Sequence, residues 1–259
     1  MKKKYFYALT GVAMLLLIML IPTGCGSSEE KNKQEILVYC GAGLKGPAEE
    51  ISAAFQENTG IQVIYNFANA AQLNSQILLA QKGDVYIPGD VQELEPLKDK
   101  GLIEYEKNIV YHVPVLAVEK GNPKEICTLE DLARPGVKIA LADAKVSPLG
   151  KLSESLFREY HILEEVSENV VVGGTAPSEL IIFLSTQQVD ATIVWKENYR
   201  GFEDKIELIH LDELEDYIKT VPVAVLSCST ETKAAEKFAD FMFSPQAGQV
   251  WEKWGYEVL

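Results

Sequence analysis

The sequence predicts an α/β protein built on mostly parallel sheets. Short β-prone apolar runs alternate with segments of helical periodicity from Ile36 to Trp254, the pattern that strand–helix–strand connections leave. The composition agrees, because 47% apolar and 24% charged residues is a globular balance and excludes a disordered or collagen-like chain. The 259 residues suit one large domain or two lobes of roughly 100–120 residues, each with its own core.

The chain opens with Lys2, Lys3 and Lys4. An apolar run from Tyr5 to Ile21 follows, broken only by Thr10 and Gly11, and then Thr23, Gly24 and Cys25. A basic start, an apolar middle and small residues before the cut make residues 1–24 a secretory signal. Gly24-Cys25 resembles a bacterial lipoprotein cleavage box, with Pro22 where that box usually carries Leu and Ile21 one place further back. The alternative is an uncleaved anchor, since the run is near the lower limit of about 17–25 residues for a membrane span. Residues 25–33 are polar and read as a flexible tether. Cleavage before Cys25 removes three lysines and no acid, which takes the net charge from −14 to −17.

That acidity excludes a nucleic-acid partner, because phosphate contacts need clustered cations. Cys25 aside, Cys40, Cys127 and Cys228 remain, an odd number with no CxxC pair. That is neither a disulfide framework nor a zinc site. All three sit in apolar-flanked runs and are expected to be buried free thiols. Cys40 as a nucleophile lacks a nearby partner in sequence, since the histidines are His112, His161 and His210.

The elements follow in order. Ile36–Cys40 is a strand. A helix over Pro47–Asn58 carries Ile51, Ala54 and Phe55 on one face, with Pro47 at its first position and Gly60 past its end. Ile61–Phe67 is a strand, and Ala71–Gln81 a helix with Leu73, Ile77 and Ala80 on one face. Residues 84–87 form a short strand closed by Pro88-Gly89, and Val91–Lys100 a helix ended by Gly101. Val113–Val118 is a strand. Thr128 caps a helix over Leu129–Ala133, with Asp131 in place of the capping box's usual Glu. Further strands are expected over 138–142, 170–172, 191–195, 206–209 and 221–226, and helices over 149–160, 177–187, 232–243 and 245–254. The run Asp212, Glu213, Glu215, Asp216 reads as a solvated face, since it lacks the Gly turn and ligand spacing of a calcium loop.

In parallel sheets ligands bind beyond the carboxyl ends of strands. The loops that matter are therefore 41–46, 68–71, 143–148, 173–178 and 195–198. The first, Gly41-Ala42-Gly43-Leu44-Lys45-Gly46, fits G-x-G-x-x-G between a strand and a helix, the context of a dinucleotide fingerprint. An exported Rossmann-like enzyme is thus one reading. The fingerprint also needs an acid about 20 residues on, and no Asp or Glu lies between Gly60 and Gly83. A phosphate-binding P-loop fails as well, because Pro47 and Ala48 replace the Lys-[Ser/Thr]. Two readings remain: a backbone cradle for a small anion, or glycines that serve a tight turn.

The order and spacing of several blocks carry a resemblance. They include ILVYCGAGLKGPAEEISAAFQENTG, NFANAAQLNSQI, GDVYIPGD, YHVPVLAVEKGNP, LEDLARPGVKIALAD, DATIVWKENY, VPVAVL and FMFSPQAGQVWEKWGYEVL. From Ile36 to Leu259 the chain resembles the substrate-binding proteins of molybdate/tungstate-type ABC importers. The resemblance implies a two-lobed periplasmic-binding fold of type II, each lobe a mixed, mostly parallel sheet flanked by helices. It places lobe one at 34–112 plus 222–259 and lobe two at 113–221. It implies a non-enzymatic monomer without a cofactor, exported to the outer face of the cytoplasmic membrane or the periplasm and held by a lipid on Cys25. Its partners would be a molybdate- or tungstate-like oxyanion, an ABC permease and its ATPase. Closure would occur about a hinge.

The same resemblance implies a site with no metal ion held directly by side chains. Its loops give hydroxyl and backbone donors, which fall at Gly43 with Leu44, at Asn69 with Ala70, at Leu149 after Pro148, at Ser178 beside Pro177, and at Trp195. Gly43 stands where the family carries Ser, Asn69 and Ala70 where it carries a serine pair, and Trp195 where it carries Tyr. A different small solute is therefore the alternative within the class. Lys45, Gln72, Ser147 and Thr175 are possible replacement donors. Each has a plainer role: Asn69 as a helix cap, Trp195 as a core aromatic, Lys45 as a solvated cation, Ser147-Pro148 as a turn. Asp143 and Glu179 stand beside the loops and oppose an anion unless they point away.

Overall fold

A computed structural model describes residues 34–259, which form one compact unit. The expected signal, Cys25 and the tether lie outside the described residues. None of the described helices is long and apolar enough to cross a membrane.

The strands are β1 (Glu35–Gly41), β2 (Gln62–Ala68), β3 (Val85–Ile87), β4 (Ile103–His112), β5 (Pro114–Glu119), β6 (Ile139–Ala142), β7 (Val170–Gly174), β8 (Ala191–Trp195), β9 (Ile206–Ile209), β10 (Lys219–Leu226) and β11 (Glu257–Val258). The helices are α1 (Lys45–Thr59), α2 (Ala70–Ala80), α3 (Glu95–Lys98), α4 (Pro148–Glu159), α5 (Leu163–Asn169), α6 (Pro177–Ser185), α7 (Thr232–Phe241) and α8 (Pro245–Lys253).

Two sheets result, ordered β11-β4-β10-β3-β1-β2 and β7-β6-β8-β5-β9. With flanking helices, this is the two-lobed α/β architecture of type II binding proteins. Both sheets are mixed, but they are not mostly parallel. β1 pairs in parallel with β2 and β3, and β6 with β7 and β8. The pairings of β10 with β3 and β4, of β11 with β4, and of β5 with β8 and β9 are antiparallel. The cause is the pair of direct crossings between sheets, β4 into β5 and residues 210–218 into β10, which reverse the chain without a crossover helix.

Burial explains the unbroken apolar run of β1. Ile36, Val38 and Cys40 enter one core with Ile51, Phe55 and Phe238, while Tyr39 enters another with Leu73, Leu97 and Leu226. Successive side chains point to opposite faces, and both faces are covered. The second sheet has its own core, with Leu116, Ile139, Leu156, Phe157, Leu180 and Ile193 fully or almost fully buried.

Several boundaries differ from the sequence expectation. β4, α5 and β11 carry no clear sequence signal. α1 starts at Lys45, not Pro47, because residues 42–44 already form a 3-10 turn. The expected helix 91–100 is a 3-10 turn over Val91–Leu94 followed by the single turn of α3. Ala80 is exposed and Asn74 takes its place inside. The Thr128–Asp131 box does form: Asp131 N–H donates to Thr128 Oγ1 (3.3 Å) and Thr128 N–H to Asp131 Oδ2 (2.9 Å). Of the three free thiols among the described residues, Cys40 is buried, Cys228 is half-buried and Cys127 is exposed. Cys127 departs from expectation because its N–H donates to Asp131 (2.8 Å) in a surface turn, while neighbouring Ile126 fills the core. Burial pushes the Cys40 thiol far above its ordinary range.

Asp84 ties the first sheet together. Its Oδ2 accepts from Leu37 N–H (2.7 Å) and its Oδ1 from Ser229 Oγ (2.6 Å). Its own N–H donates to Leu37 O (2.9 Å), and its carbonyl accepts from Leu226 N–H (3.0 Å). Asp84→Ala strands the Leu37 N–H inside. The expected loss is about 2–4 kcal/mol, since a charged hydrogen bond contributes about 1.5–3 kcal/mol and an orphaned buried donor costs about 1–3 kcal/mol. Urea unfolding of the variant checks it; a change below about 0.5 kcal/mol contradicts the role.

Candidate functional site

Parallel pairing fixes which loops meet. Gly41 lies opposite Ala68 and Cys40 opposite Ile87. The loops after β1, β2 and β3 therefore leave the first sheet at one edge. In the second sheet Ala142 lies opposite Gly174 and Ile139 opposite Ala191, so the loops after β6, β7 and β8 share an edge too. Parts of the two edges meet at one cavity, which of the expected site residues only Pro148 lines. A cavity of about 390 Å³ is lined by Asp90, Val91 and Gln92, after β3, and by Pro148, Lys151 and Ser155, on α4.

On the first edge, Gly43 is exposed in the 3-10 turn, and a side chain there would meet nothing within 4 Å. None of Gly41, Gly43 and Gly46 has positive φ, so the tight 3-10 turn here does not demand glycine through a left-handed backbone. Gly46 serves a close approach instead, because a Cβ would lie 2.3 Å from the Trp254 ring. Leu44 is buried and offers only its backbone. Lys45 is exposed, 3.8 Å from Glu49 and 5.6 Å from the Phe67 ring centre. Asn69 caps α2, its Oδ1 accepting from Gln72 N–H (2.9 Å), and Ala70 is the first residue of that helix. The plainer role of Asn69 is therefore real, and its side-chain N–H₂ remains for another partner.

On the second edge, Ser147 is 3% exposed at the cap of α4, with no capping bond from its hydroxyl. Its N–H donates to Asp143 O (2.9 Å). Pro148 and Leu149 open the helix. Gly150 is obligatory there, since a Cβ would stand 2.5 Å from Ala142 O. The loop after β7 behaves differently. Thr175 N–H (2.6 Å), Ala176 N–H (3.2 Å) and Thr175 Oγ1 (3.3 Å) all donate to Glu179 Oε2. Those bonds hold the Glu179 carboxyl below its usual range. Glu179 therefore points into the loop, against the condition the sequence reading set for it. With Asp143, Gly174 and Thr175 it lines a second cavity of about 590 Å³. Ser178 is exposed, and Pro177 has no N–H.

Trp195 ends β8, 6% exposed, and packs on His112 with ring centres 4.0 Å apart. His112 Nε2 lies 2.5 Å from Glu197 Oε1. This joins β4 of the first sheet to the loop after β8 of the second. Lys196 pairs with Glu257, and Arg200 stacks on Trp254, 4.4 Å from its ring. Trp254 Nε1–H donates to Glu50 Oε2 (2.9 Å). The sequence reading missed His112, Glu197, Lys151 and the Asp90–Lys219 pair (2.9 Å); only Asp90 had a local signal, as a cap after Pro88-Gly89. His210, Asp212 and Glu215 place possible metal-ligand atoms within 4.8 Å of one another, all on exposed residues.

Comparison with known proteins shows one solute-binding family, and the similar proteins include sulfate- and iron-binding ones beside the molybdate-binding ones. The family model described as bacterial extracellular solute-binding protein matches residues 36–257. A protein of Haemophilus influenzae named as a putative binding protein is 27% identical, over 82% of this chain and 86% of its own. A molybdate-binding protein of Rhodobacter capsulatus is 24% identical, over 95% of each chain. Among solved structures, the substrate-binding domain of a putative molybdenum ABC transporter from Clostridium difficile superposes with a TM-score of 0.75. It is 21% identical, with 87% of this chain and 99% of that one covered.

The lowered Glu179 carboxyl has a consequence for stability. Its contribution is complete above the unfolded value of about 4.3 and is lost as pH falls through the lower folded value. Wild type is expected to exceed Glu179→Gln in urea unfolding at neutral pH, and the gap to shrink as pH falls below the unfolded value. A gap that does not change with pH contradicts the assignment.

Proposed function

The chain belongs to the bacterial extracellular solute-binding proteins, and from that premise we propose that it captures a small oxyanion, molybdate or tungstate first, for an ABC importer. The anion enters between two lobes that close about the crossings near Val113 and Ile218, and is passed to a permease driven by an ATPase. One observation supports this reading: the loop after β3 in the first sheet and the start of α4 after β6 in the second line one cavity, together with Lys151, which has no ion pair among the described residues. The donors assigned to the anion are the amides of Gly43, Leu44, Ala70 and Leu149, the side chains of Asn69, Ser147 and Ser178, and the Trp195 indole. Micromolar capture needs about 8 kcal/mol, which a handful of charge-assisted bonds of about 1.5–3 kcal/mol each supply.

A second reading, a different small solute in the same fold, is favoured by Glu179, whose carboxylate already uses the donors of its loop. Export fits both readings. Lipid attachment at Cys25 follows from Gly24-Cys25 and the polar stretch after it, and the protein works as a tethered monomer at the outer face of the cytoplasmic membrane.

Calorimetric titration with molybdate, tungstate, sulfate and phosphate is the direct test. Molybdate or tungstate is expected to bind at micromolar concentration or below, ahead of the other two. Heat from none of the four overturns the oxyanion reading, and binding of NAD(P) revives the dinucleotide enzyme. For the anchor, Cys25→Ser is expected to accumulate as uncleaved precursor. Normal processing and lipid labelling of that variant contradict a lipoprotein.

A further inference from the structure

We propose that Lys151 is a specificity-determining residue: its ammonium reads the charge of the ligand and favours a dianionic oxyanion over a monoanion of the same shape. The inference rests on the oxyanion reading above and deepens it.

One face of α4 lines the cavity of about 390 Å³. Pro148, Lys151, Leu152 and Ser155 supply that wall, and positions i, i+3, i+4 and i+7 lie on one side of a helix. The helical period thus turns Lys151 toward the cavity.

The other charges of the lining are accounted for. Asp90 and Lys219 pair with each other (2.9 Å). Asp216 is exposed on the crossing before β10, and it repels an anion from that wall. An anion is therefore drawn to the α4 wall. Leu149, an expected amide donor, opens the same helix.

Local stability does not explain a lysine at this position. α4 has no acid in its first turn, so nothing there offsets the cation against the positive end of the helix dipole. Glu154, one turn on, accepts from Arg158 Nε (3.2 Å) and not from Lys151. A residue that opposes local stability, faces a cavity and lacks an ionic partner has the marks of a functional position.

Tungstate and perrhenate isolate the effect of charge. Both are tetrahedral oxyanions of nearly equal size, but tungstate is a dianion and perrhenate a monoanion. Backbone amides and hydroxyls fit the shape of either. A fixed ammonium gains more from the dianion at the same distance, because Coulomb energy scales with charge. A merely solvated lysine makes a different forecast: its removal changes both affinities by less than about threefold.

Calorimetric titration of wild type, Lys151→Met and Lys151→Arg with tungstate and perrhenate separates the two. Wild type is expected to bind tungstate more tightly. Lys151→Met is expected to weaken tungstate by at least about tenfold and perrhenate by less, so that the preference narrows. Lys151→Arg keeps the charge and is expected to keep the preference. Urea unfolding is expected to show Lys151→Met no less stable than wild type, and Lys151→Gln carries the test if Met does not fold. Wild-type binding of tungstate, with both affinities unchanged or equally weakened in Lys151→Met, overturns the role of Lys151 and leaves the oxyanion reading standing. Absence of tungstate and molybdate binding by wild type overturns both.

Discussion

The hydrogen bonds of Asp84 hold the first sheet in register. One carboxylate and its backbone fasten β1, the start of β3 and the end of β10. The loops after β1 and β3 leave the same edge because their strands are aligned this way. The position of Gly43 relative to Asp90 is thus decided in the interior, about one strand length from either residue. A site made of loops inherits its precision from the strands that carry them.

Charge is the second constraint. A chain of net −14 opposes an anion in its far field, although screening confines surface charges to about 8–10 Å. On the oxyanion reading, capture depends on short-range donors and on the few cations near the cavity. Lys219 is committed to Asp90, which leaves Lys151.

Sequence pattern reaches some elements and not others. β8 and β9 are legible to the residue, since Ala191–Trp195 and Ile206–Ile209 are short apolar runs bounded by polar ones. β4 is not, because Glu104, Glu106, Lys107 and Asn108 are exposed along it and its apolar partner, β10, lies more than a hundred residues away. The parallel share is over-read for the same reason: alternation of strand and helix says nothing about a direct crossing such as His112 to Pro114. Site residues divide likewise. Asn69 and Ser147 announce themselves as caps before a helix. The contact of His112 with Glu197 leaves no mark in either segment, because it exists only once the sheets have met. The direction of the Glu179 side chain is set by the bend at Thr175 and Ala176, whose N–H groups it accepts, and spacing alone does not reveal it.

The place of β10 also bears on the order of assembly. The strands of the second sheet are contiguous in the chain, from Pro114 to Ile209, and need nothing from either end. The first sheet lacks its centre until β10 enters between β3 and β4, and its edge until β11 arrives. Long-range pairing of that kind is slow, because loop closure precedes any gain. During synthesis β1 can pair with β2 and β3 early, but β3 and β4 each keep an open edge until β10 has emerged. For an exported protein that delay is an asset: the strand that joins β3 to β4 is made long after either of them.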